Sequence, residues 1–241
     1  MENNSNKIYD KVADIYPYLM RTIHYDKWAK YLYEIVKTSV NKNDVILELG
    51  AGNGKLADHL RHYFPDIIIT DLSFNMLSQD SEYGIKKVCC DMTSIPFNAR
   101  FTLIYSAFDS VNYLTTKKKL LSFFKEVKRI LAEGGIFTFD VSLERNSLKH
   151  IKEPFRKGKY KGISFVQKSW YCPKSRIHKN TFNLEIESKS YLEQHKQKIY
   201  PFEEYFMMIE KAGLYVSECF EAFTFNNGNA ECERVQFVVR K

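Results

Sequence analysis

One short stretch constrains the fold of this chain more than any other: Val45-Ile46-Leu47-Glu48-Leu49, followed at once by Gly50-Ala51-Gly52-Asn53-Gly54. An apolar run that does not alternate reads as a strand buried on both faces, the situation of a parallel strand inside an α/β sheet. The glycines that follow let the backbone turn tightly and approach a ligand with no side chain in the way. Leu56, Ala57, Leu60 and Phe64 then recur at helical spacing. A strand, a glycine turn and a helix in that order commit the chain to a βαβ architecture.

The same pattern repeats downstream. Ile67-Ile68-Ile69-Thr70 reads as a second buried strand ending at Asp71, with Phe74, Met76 and Leu77 in a short helix after it. Lys87-Val88-Cys89-Cys90 reads as a third strand ending at Asp91, and residues 101–105 as a fourth. Leu120, Leu121, Phe124, Val127, Ile130 and Leu131 describe an amphipathic helix, expected to stop at Gly134-Gly135. Residues 136–141 give a fifth strand. Strands alternating with helices at this interval predict an α/β fold with a doubly wound, mainly parallel, seven-stranded Rossmann-like sheet. After Ser142 the pattern breaks. Residues 162–171, 177–186 and 189–198 look like three strands of an antiparallel β insertion. Helical spacing resumes at Phe202, Tyr205, Phe206 and Ile209, and residues 214–219 and 234–240 close the chain as an antiparallel hairpin. Before the first strand, Tyr9, Ala13, Tyr16, Leu19 and Met20, then Trp28, Tyr31, Leu32 and Ile35, predict two amphipathic helices. The expected organisation is a helical cover over 1–40, a core built from 41–145 and 200–241, and a β cap over 146–199.

Composition narrows the class. With 241 residues, 44% of them hydrophobic, the chain can bury a full core without disulfides, and wholesale disorder is excluded. No apolar run approaches the roughly 18 residues needed to cross a bilayer. Met1-Glu2-Asn3-Asn4-Ser5-Asn6 has no basic region leading into an apolar stretch, so no signal peptide is expected. The five cysteines are odd in number and form no C-x-x-C pair, which argues against a disulfide scaffold or zinc ribbon and for a cytoplasmic location. The formal charge is +7, but between Asn146 and Tyr200 thirteen Lys or Arg face four Glu. The excess belongs to the insertion, and the remainder of the chain is slightly acidic.

Three acids stand at the ends of successive strands: Glu48, Asp71 and Asp91. Open α/β sheets bind ligands at this carboxyl edge. A carboxylate ending the second strand can accept hydrogen bonds from both hydroxyls of a ribose, and one ending the third can reach an adenine amino group. Strand-end Asp residues can also be plain helix N-caps. Position 55 is Lys55, so the third glycine falls one place too early for G-x-G-x-x-G. The spacing G-x-G-x-G, with an acid two residues before its first glycine, instead resembles the class I S-adenosylmethionine-dependent methyltransferases. So do Asp71-Leu72-Ser73-Phe74-Asn75-Met76-Leu77, Asp91-Met92 and the terminal hairpin. Tyr9-Asp10, Ala13-Asp14-Ile15-Tyr16, Phe108-Asp109-Ser110-Val111-Asn112-Tyr113-Leu114 and Gln194-His195-Lys196-Gln197-Lys198-Ile199-Tyr200-Pro201 are similar to the small-molecule branch of that family, which includes sugar N-methyltransferases and glycine N-methyltransferase.

The resemblance implies a set of roles. S-adenosyl-L-methionine is the cofactor and S-adenosyl-L-homocysteine its product. Gly50, Ala51 and Gly52 line the methionine part, within the Glu48-to-Gly54 motif. Asp71 holds the ribose, Leu72 and Met92 sandwich the adenine with Asp91 near its amino group, and Met76 completes the pocket. Ser106 and Ala107 face the amino-acid end, and Tyr9 and Tyr16 cover the cofactor. Aromatic faces suit its sulfonium. Tyr113, Asp109 and His195 are candidates to orient or deprotonate the acceptor; Asn112, Trp28 and Trp170 are candidates to bind it. No metal is expected. The chain lacks the N/D-P-P-Y/F tetrapeptide of amino-methylating nucleic-acid enzymes, and Cys172-Pro173 reverses the Pro-Cys order of cytosine-5 enzymes. The expected activity is in-line methyl transfer to an N or O atom of a small molecule, with an anionic acceptor as one reading of the basic insertion, by a monomer or homodimer with no membrane association. The alternatives are an RNA or protein methyltransferase docking through the basic cap, and a non-catalytic cofactor-binding regulator.

Overall fold

The computed structural model describes residues 3–4, 8–79 and 84–241. Most of the opening stretch read for a signal peptide lies outside the described residues. Two sheets organise the chain. The larger has seven strands, in chain order β2 (Ile46–Leu49), β3 (Ile67–Asp71), β4 (Lys86–Cys89), β5 (Phe101–Ser106), β6 (Leu131–Ser142), β11 (Tyr215–Glu221) and β12 (Arg234–Arg240). Their spatial order is β11-β12-β6-β5-β2-β3-β4. All neighbours from β6 to β4 are parallel, and β12 pairs antiparallel with both β6 and β11. This is the doubly wound sheet with a terminal hairpin that the sequence predicts. From the edge strand β4 the chain returns to place β5 on the other side of β2. The order reverses there, and the carboxyl ends of β2 and β5 diverge to leave a crevice.

Every residue of β2 is buried, as its unbroken apolar run requires. Helices α2 (Tyr25–Val36) and α3 (Lys55–Leu60) bury Trp28, Leu32, Leu56 and Leu60 against one face of the sheet. Helices α5 (Lys117–Ile130) and α7 (Phe202–Lys211) cover the other face with Phe123, Phe124, Tyr205 and Ile209. There Phe139 stacks on both Phe137 and Phe237, with centroids 5.0 Å apart in each pair. Gly134-Gly135 does not stop α5. The helix ends at Ile130, Leu131 turns directly into β6, and the glycines sit in that strand where its register against β5 shifts between Phe101 and Leu103. A Cβ on Gly135 would meet the Ala132 and Thr102 carbonyl oxygens at 3.0 Å, so that irregularity requires a glycine.

The second sheet is the insertion: β7 (Phe155–Tyr160), β8 (Ile163–Cys172), β9 (Ile177–Ile186) and β10 (Lys189–Lys198), antiparallel throughout, with the two-residue β1 (Asn3–Asn4) parallel to β10 at its edge. Three of these strands follow the expected ranges. The sequence reading missed β7, and also α6 (Glu144–His150), because the first is a lysine-rich edge strand and the second buries only Ser147. Helix α1 (Val12–Leu19) lies beneath this sheet, with Val12 and Ile15 packed on Ile163, Phe165, Phe182 and Leu184. The residues just before α1 are therefore held between cap and core.

Candidate active site

Two adjoining cavities open at the carboxyl ends of β2, β3, β4 and β5. The first is lined by Gly50, Ala51 and Gly52 after β2, by Asp71, Leu72 and Met76, by Asp91 and Met92, and by Tyr9, Tyr16 and Ser110. Gly50 and Gly52 have φ of +69° and +60°. A Cβ on Gly50 would lie 2.8 Å from the Ser110 Cβ, and one on Gly52 3.0 Å from the Met76 Cε, so the turn has room for backbone alone. The Asp71 Oδ2 accepts the Gly52 N–H at 2.8 Å, and its Oδ1 accepts the Ser73 N–H at 2.8 Å. Burial pushes the Asp71 carboxyl up, opposed by the Ser73, Gly52 and Leu72 backbone amides. Each oxygen retains capacity for a further donor. The Asp91 Oδ1 is taken by the Thr93 N–H and hydroxyl, both at 2.8 Å. Leu72 is 57% exposed although apolar, so it stands at the cleft without a protein partner covering it.

A chain of hydrogen bonds runs from the cap to the boundary between the cavities. The Glu193 Oε2 accepts the backbone N–H groups of Lys11 and Val12 at 2.9 and 3.0 Å. Its Oε1 lies 2.7 Å from the His195 Nε2. The His195 Nδ1 is 3.0 Å from the Tyr113 hydroxyl, which is 2.9 Å from the Tyr9 hydroxyl. Burial works to raise the Glu193 carboxyl, but the hydrogen bonds from His195, Val12 and Lys11 hold it below its ordinary range. With Glu193 ionised, the His195 Nε2–H donates to it; in the neutral imidazole Nδ1 then accepts from Tyr113, and Tyr113 accepts from Tyr9. Burial, the neighbouring Tyr113 phenol and the hydrogen bond to it raise the Tyr9 phenol well above its usual value. Burial likewise raises Tyr113, so both stay protonated.

Residues 46–135 match the model of a family described as "Methyltransferase domain". Over 97% of its own length and 97% of the relative's, the chain is 31% identical to a Bacillus subtilis (strain 168) protein named "Putative methyltransferase YqeM". Among solved structures, an S-adenosylmethionine-dependent methyltransferase from Clostridium acetobutylicum ATCC 824 superposes with a TM-score of 0.79 at 22% identity, covering 97% of this chain and 99% of that one. The sugar N-methyltransferase KedS8 from Streptoalloteichus sp ATCC 53650 superposes with a TM-score of 0.73 at 16% identity, over 100% of this chain and 96% of that one. The chain belongs to the S-adenosylmethionine-dependent methyltransferases. The cofactor of this methyltransferase is S-adenosyl-L-methionine, and the glycine cradle with the Asp71 carboxylate suits the ribose and methionine parts of that molecule.

The second cavity of the methyltransferase encloses about 600 Å³ beneath the cap. Tyr9, Tyr16, Phe108 and Tyr113 line both cavities, so any group passing between them meets these four rings. Trp28 lines the second cavity with its ring 3.9 Å from Phe108 and 4.6 Å from Phe223, centroid to centroid. A polar annex of about 170 Å³ continues from it. Asp109, Gln167, Asn180, Gln197 and Arg234 line both spaces. His178 also lines the annex; it is buried, and its Nδ1 has no hydrogen-bond partner among the described residues. Burial lowers the His178 and His150 imidazoles, so both are neutral at pH 7.

Several sequence candidates sit elsewhere than expected. Glu48 is buried behind the glycine turn, where its Oε2 accepts the Tyr105 hydroxyl at 2.9 Å and burial pushes its carboxyl to about 8. Gly54 caps α3 at φ +78°, with Ile69 against it and no face on the cleft. Ser106, the last residue of β5, and Ala107 just after it are buried, while Ser110 lines the cleft. Asn112 is fully buried: its amide donates to the Ser142 and Lys198 carbonyls and the Tyr205 hydroxyl, and its Oδ1 accepts the Ser142 N–H. It pins the Ser110–Tyr113 helical turn rather than meeting an acceptor. Asp109 is not a free base. It accepts from Arg234 at 3.0 Å and from Gln197 at 2.8 Å, while Arg234 also pairs with Asp140. Burial works against the Arg234 charge, and Asp109 and Asp140 overcome it. Trp170 points away from the cavity, 52% exposed, because the pleat of β8 turns Phe165, Gln167 and Tyr171 inward.

Sequence reasoning missed Glu193, Arg234, Phe108, Ser110 and Lys119. One signal was present. Glu193, His195 and Gln197 fall at every second position of a strand, on the face that period two assigns to the interior. Polar residues there need buried partners.

Proposed function

We propose that this methyltransferase transfers a methyl group to an amine nitrogen or hydroxyl oxygen of a small, polar acceptor bound under the cap. The observation that carries the reading is the Glu193–His195–Tyr113–Tyr9 chain, which ends where the cofactor cleft meets the 600 Å³ cavity. S-adenosylmethionine supplies an electrophilic methyl on a cationic sulfur, and the protein has to align a lone pair behind it and exclude water. Asp71 accepts the ribose hydroxyls, Leu72 and Met92 flank the adenine with Asp91 near its amino group, and Gly50, Ala51 and Gly52 pass the methionine part. Lys119, at the rim of the same cleft, suits its carboxylate. Tyr9 and Tyr16 cover the junction with aromatic faces that favour a cation.

An attacking amine or alcohol sheds a proton as its bond to the methyl carbon forms. Tyr113 keeps its own proton, so it passes one on only as His195 Nδ1 takes it. The imidazolium formed is then stabilised by Glu193 at 2.7 Å. Trp28 and Phe108 form an apolar wall for the acceptor, and the annex offers carboxamides and imidazoles to its polar end. Of the thirteen basic residues between 146 and 200, Arg156 alone lines the 600 Å³ cavity. An anionic acceptor would therefore meet Arg156 together with Lys27 of α2. The helical cover of 1–40, the core and the cap of 146–199 thus divide the work of roofing, cofactor binding and acceptor binding.

Calorimetry with S-adenosylmethionine tests the cofactor site. Asp71→Ala removes a charged acceptor of two hydroxyls, and the affinity is expected to fall by about 100-fold or more. A panel of small amines and alcohols, read by mass for a methyl gain, tests the acceptor class. Methylation of a protein or RNA in place of every small molecule tried would overturn it.

A further inference from the structure

The strand pleat sorts the charge of the cap. Phe165 and Gln167 of β8, Phe182 and Leu184 of β9, and Glu193 and His195 of β10 face α1 and the acceptor cavity. The alternate positions face away: Phe155, Lys157 and Lys159 on β7, Val166, Lys168 and Trp170 on β8, Lys179 on β9 and Lys196 on β10. Among the described residues none of these five lysines makes an ion pair. The register sets them in rows. Lys196 lies opposite Lys179, and Lys179 opposite Trp170. In the next row Lys168 lies opposite Phe155, with its Nζ 5.5 Å from the ring centroid. Neighbouring strands are about 4.8 Å apart, so the first row sets two cations beside a ring, and the second sets one cation against one ring, with Thr181 and Gln194 completing it.

Stability does not account for this face. Like charges directly across a strand pair destabilise a sheet. Trp170 and Phe155 are 52% and 65% exposed, so they contribute little burial. The combination is what a single-stranded nucleic acid requires: ammonium groups for successive phosphates, and aromatic faces for unpaired bases. Among the described residues the face is built from strands alone, with no helix to enter a groove, which favours unpaired strands over a duplex. We propose that the outer face of the cap sheet binds single-stranded nucleic acid, with Trp170 and Phe155 as stacking platforms and Lys157, Lys159, Lys168, Lys179 and Lys196 as phosphate contacts. The face is separate from the acceptor cavity, so the inference does not rest on what is methylated.

The chain contains two tryptophans, and Trp28 is only 5% exposed. Both indoles emit, so the part of any quenching that is lost in Trp170→Ala is the part that reports on the exposed Trp170. Titration with a uridine dodecamer is expected to quench it saturably, and Trp170→Ala is expected to weaken binding of a fluorescein-labelled dodecamer by about 10-fold or more. Each phosphate contact on a single strand contributes about 0.7 to the slope of log affinity against log salt, so Lys179→Gln with Lys196→Gln is expected to lower that slope by about 1.4. Both variants should retain the wild-type affinity for S-adenosylmethionine, which shows that the fold is intact. The proposal is overturned by an absence of quenching at about 50 mM salt. It is also overturned by equal quenching with polyglutamate or phosphatidylserine vesicles, or by a duplex of the same length binding at least as tightly.

Discussion

Glu193 does two jobs with two oxygens. One holds the first amides of α1, and the other faces the imidazole of His195. It thereby couples the placement of the segment carrying Tyr9 to the direction in which a proton can move along the hydrogen-bond chain. The carboxyl is held below its ordinary range, so the contribution of these contacts to stability is complete above that range and is lost only as pH falls through the depressed value. Near neutral pH the chain is intact. Tyr113→Phe breaks it at its centre and leaves the ring packing in place. Its kcat is expected to drop by a factor between about 10² and 10⁴, while calorimetry gives an unchanged affinity for S-adenosylmethionine. An unchanged kcat would show that the acceptor loses its proton to water instead.

At the scale of elements, β2 carries the cofactor turn and also a buried acid. With its carboxyl raised to about 8, Glu48 favours the neutral form of the folded protein. The sign is opposite to that of Glu193. A raised carboxyl costs stability progressively as pH climbs from about 4.3 in the unfolded chain to about 8 in the folded one, by at most about 4–5 kcal/mol. Glu48→Gln keeps an acceptor for the Tyr105 hydroxyl and removes that ionisation. Its melting temperature is expected to gain on wild type steadily between pH 5 and about 8, and to match it most closely at the acid end. Parallel melting curves across that interval would refute the assignment. The sheet containing β2 was legible in the sequence because its inner strands are largely buried and leave apolar runs, and those of β2 and β3 end in turns of distinctive chemistry. Strand β7 and helix α6 were not, because they bury almost nothing and so have no periodicity to read. The cleft proposed for the cofactor was legible for the same reason as the strands: Gly50, Gly52, Asp71 and Asp91, which line it, are adjacent to them. The acceptor side was legible only in fragments. His195 and Tyr113 carry recognisable chemistry, but Arg234 meets Asp109 across 125 positions of chain, and nothing local to either residue announces that pair.

Across the whole molecule, cap and core are joined by buried polar contacts as well as by packing. Glu193 holds α1, Gln197 holds Asp109, and the Lys198 carbonyl receives Asn112. The segment before α1 is also anchored to the core rim, since the Tyr9 carbonyl accepts the Ser73 hydroxyl at 2.9 Å and Asn75 donates to Asp10. Tyr9 thus forms a roof over the cofactor cleft, fastened on one side to the sheet and on the other to the cap that closes over the acceptor. Such a roof predicts an order of events in turnover: donor first, acceptor second, and the demethylated donor last, when the roof lifts. Initial-rate measurements should then find S-adenosylhomocysteine competitive against S-adenosylmethionine and noncompetitive against the acceptor. The methylated product should be noncompetitive against the acceptor; a product competitive against it would show random entry and would mean that the roof opens as freely with the acceptor in place as without it. With ordered exit, turnover slows as spent donor accumulates, so the rate of this methyltransferase follows the ratio of fresh to spent donor around it.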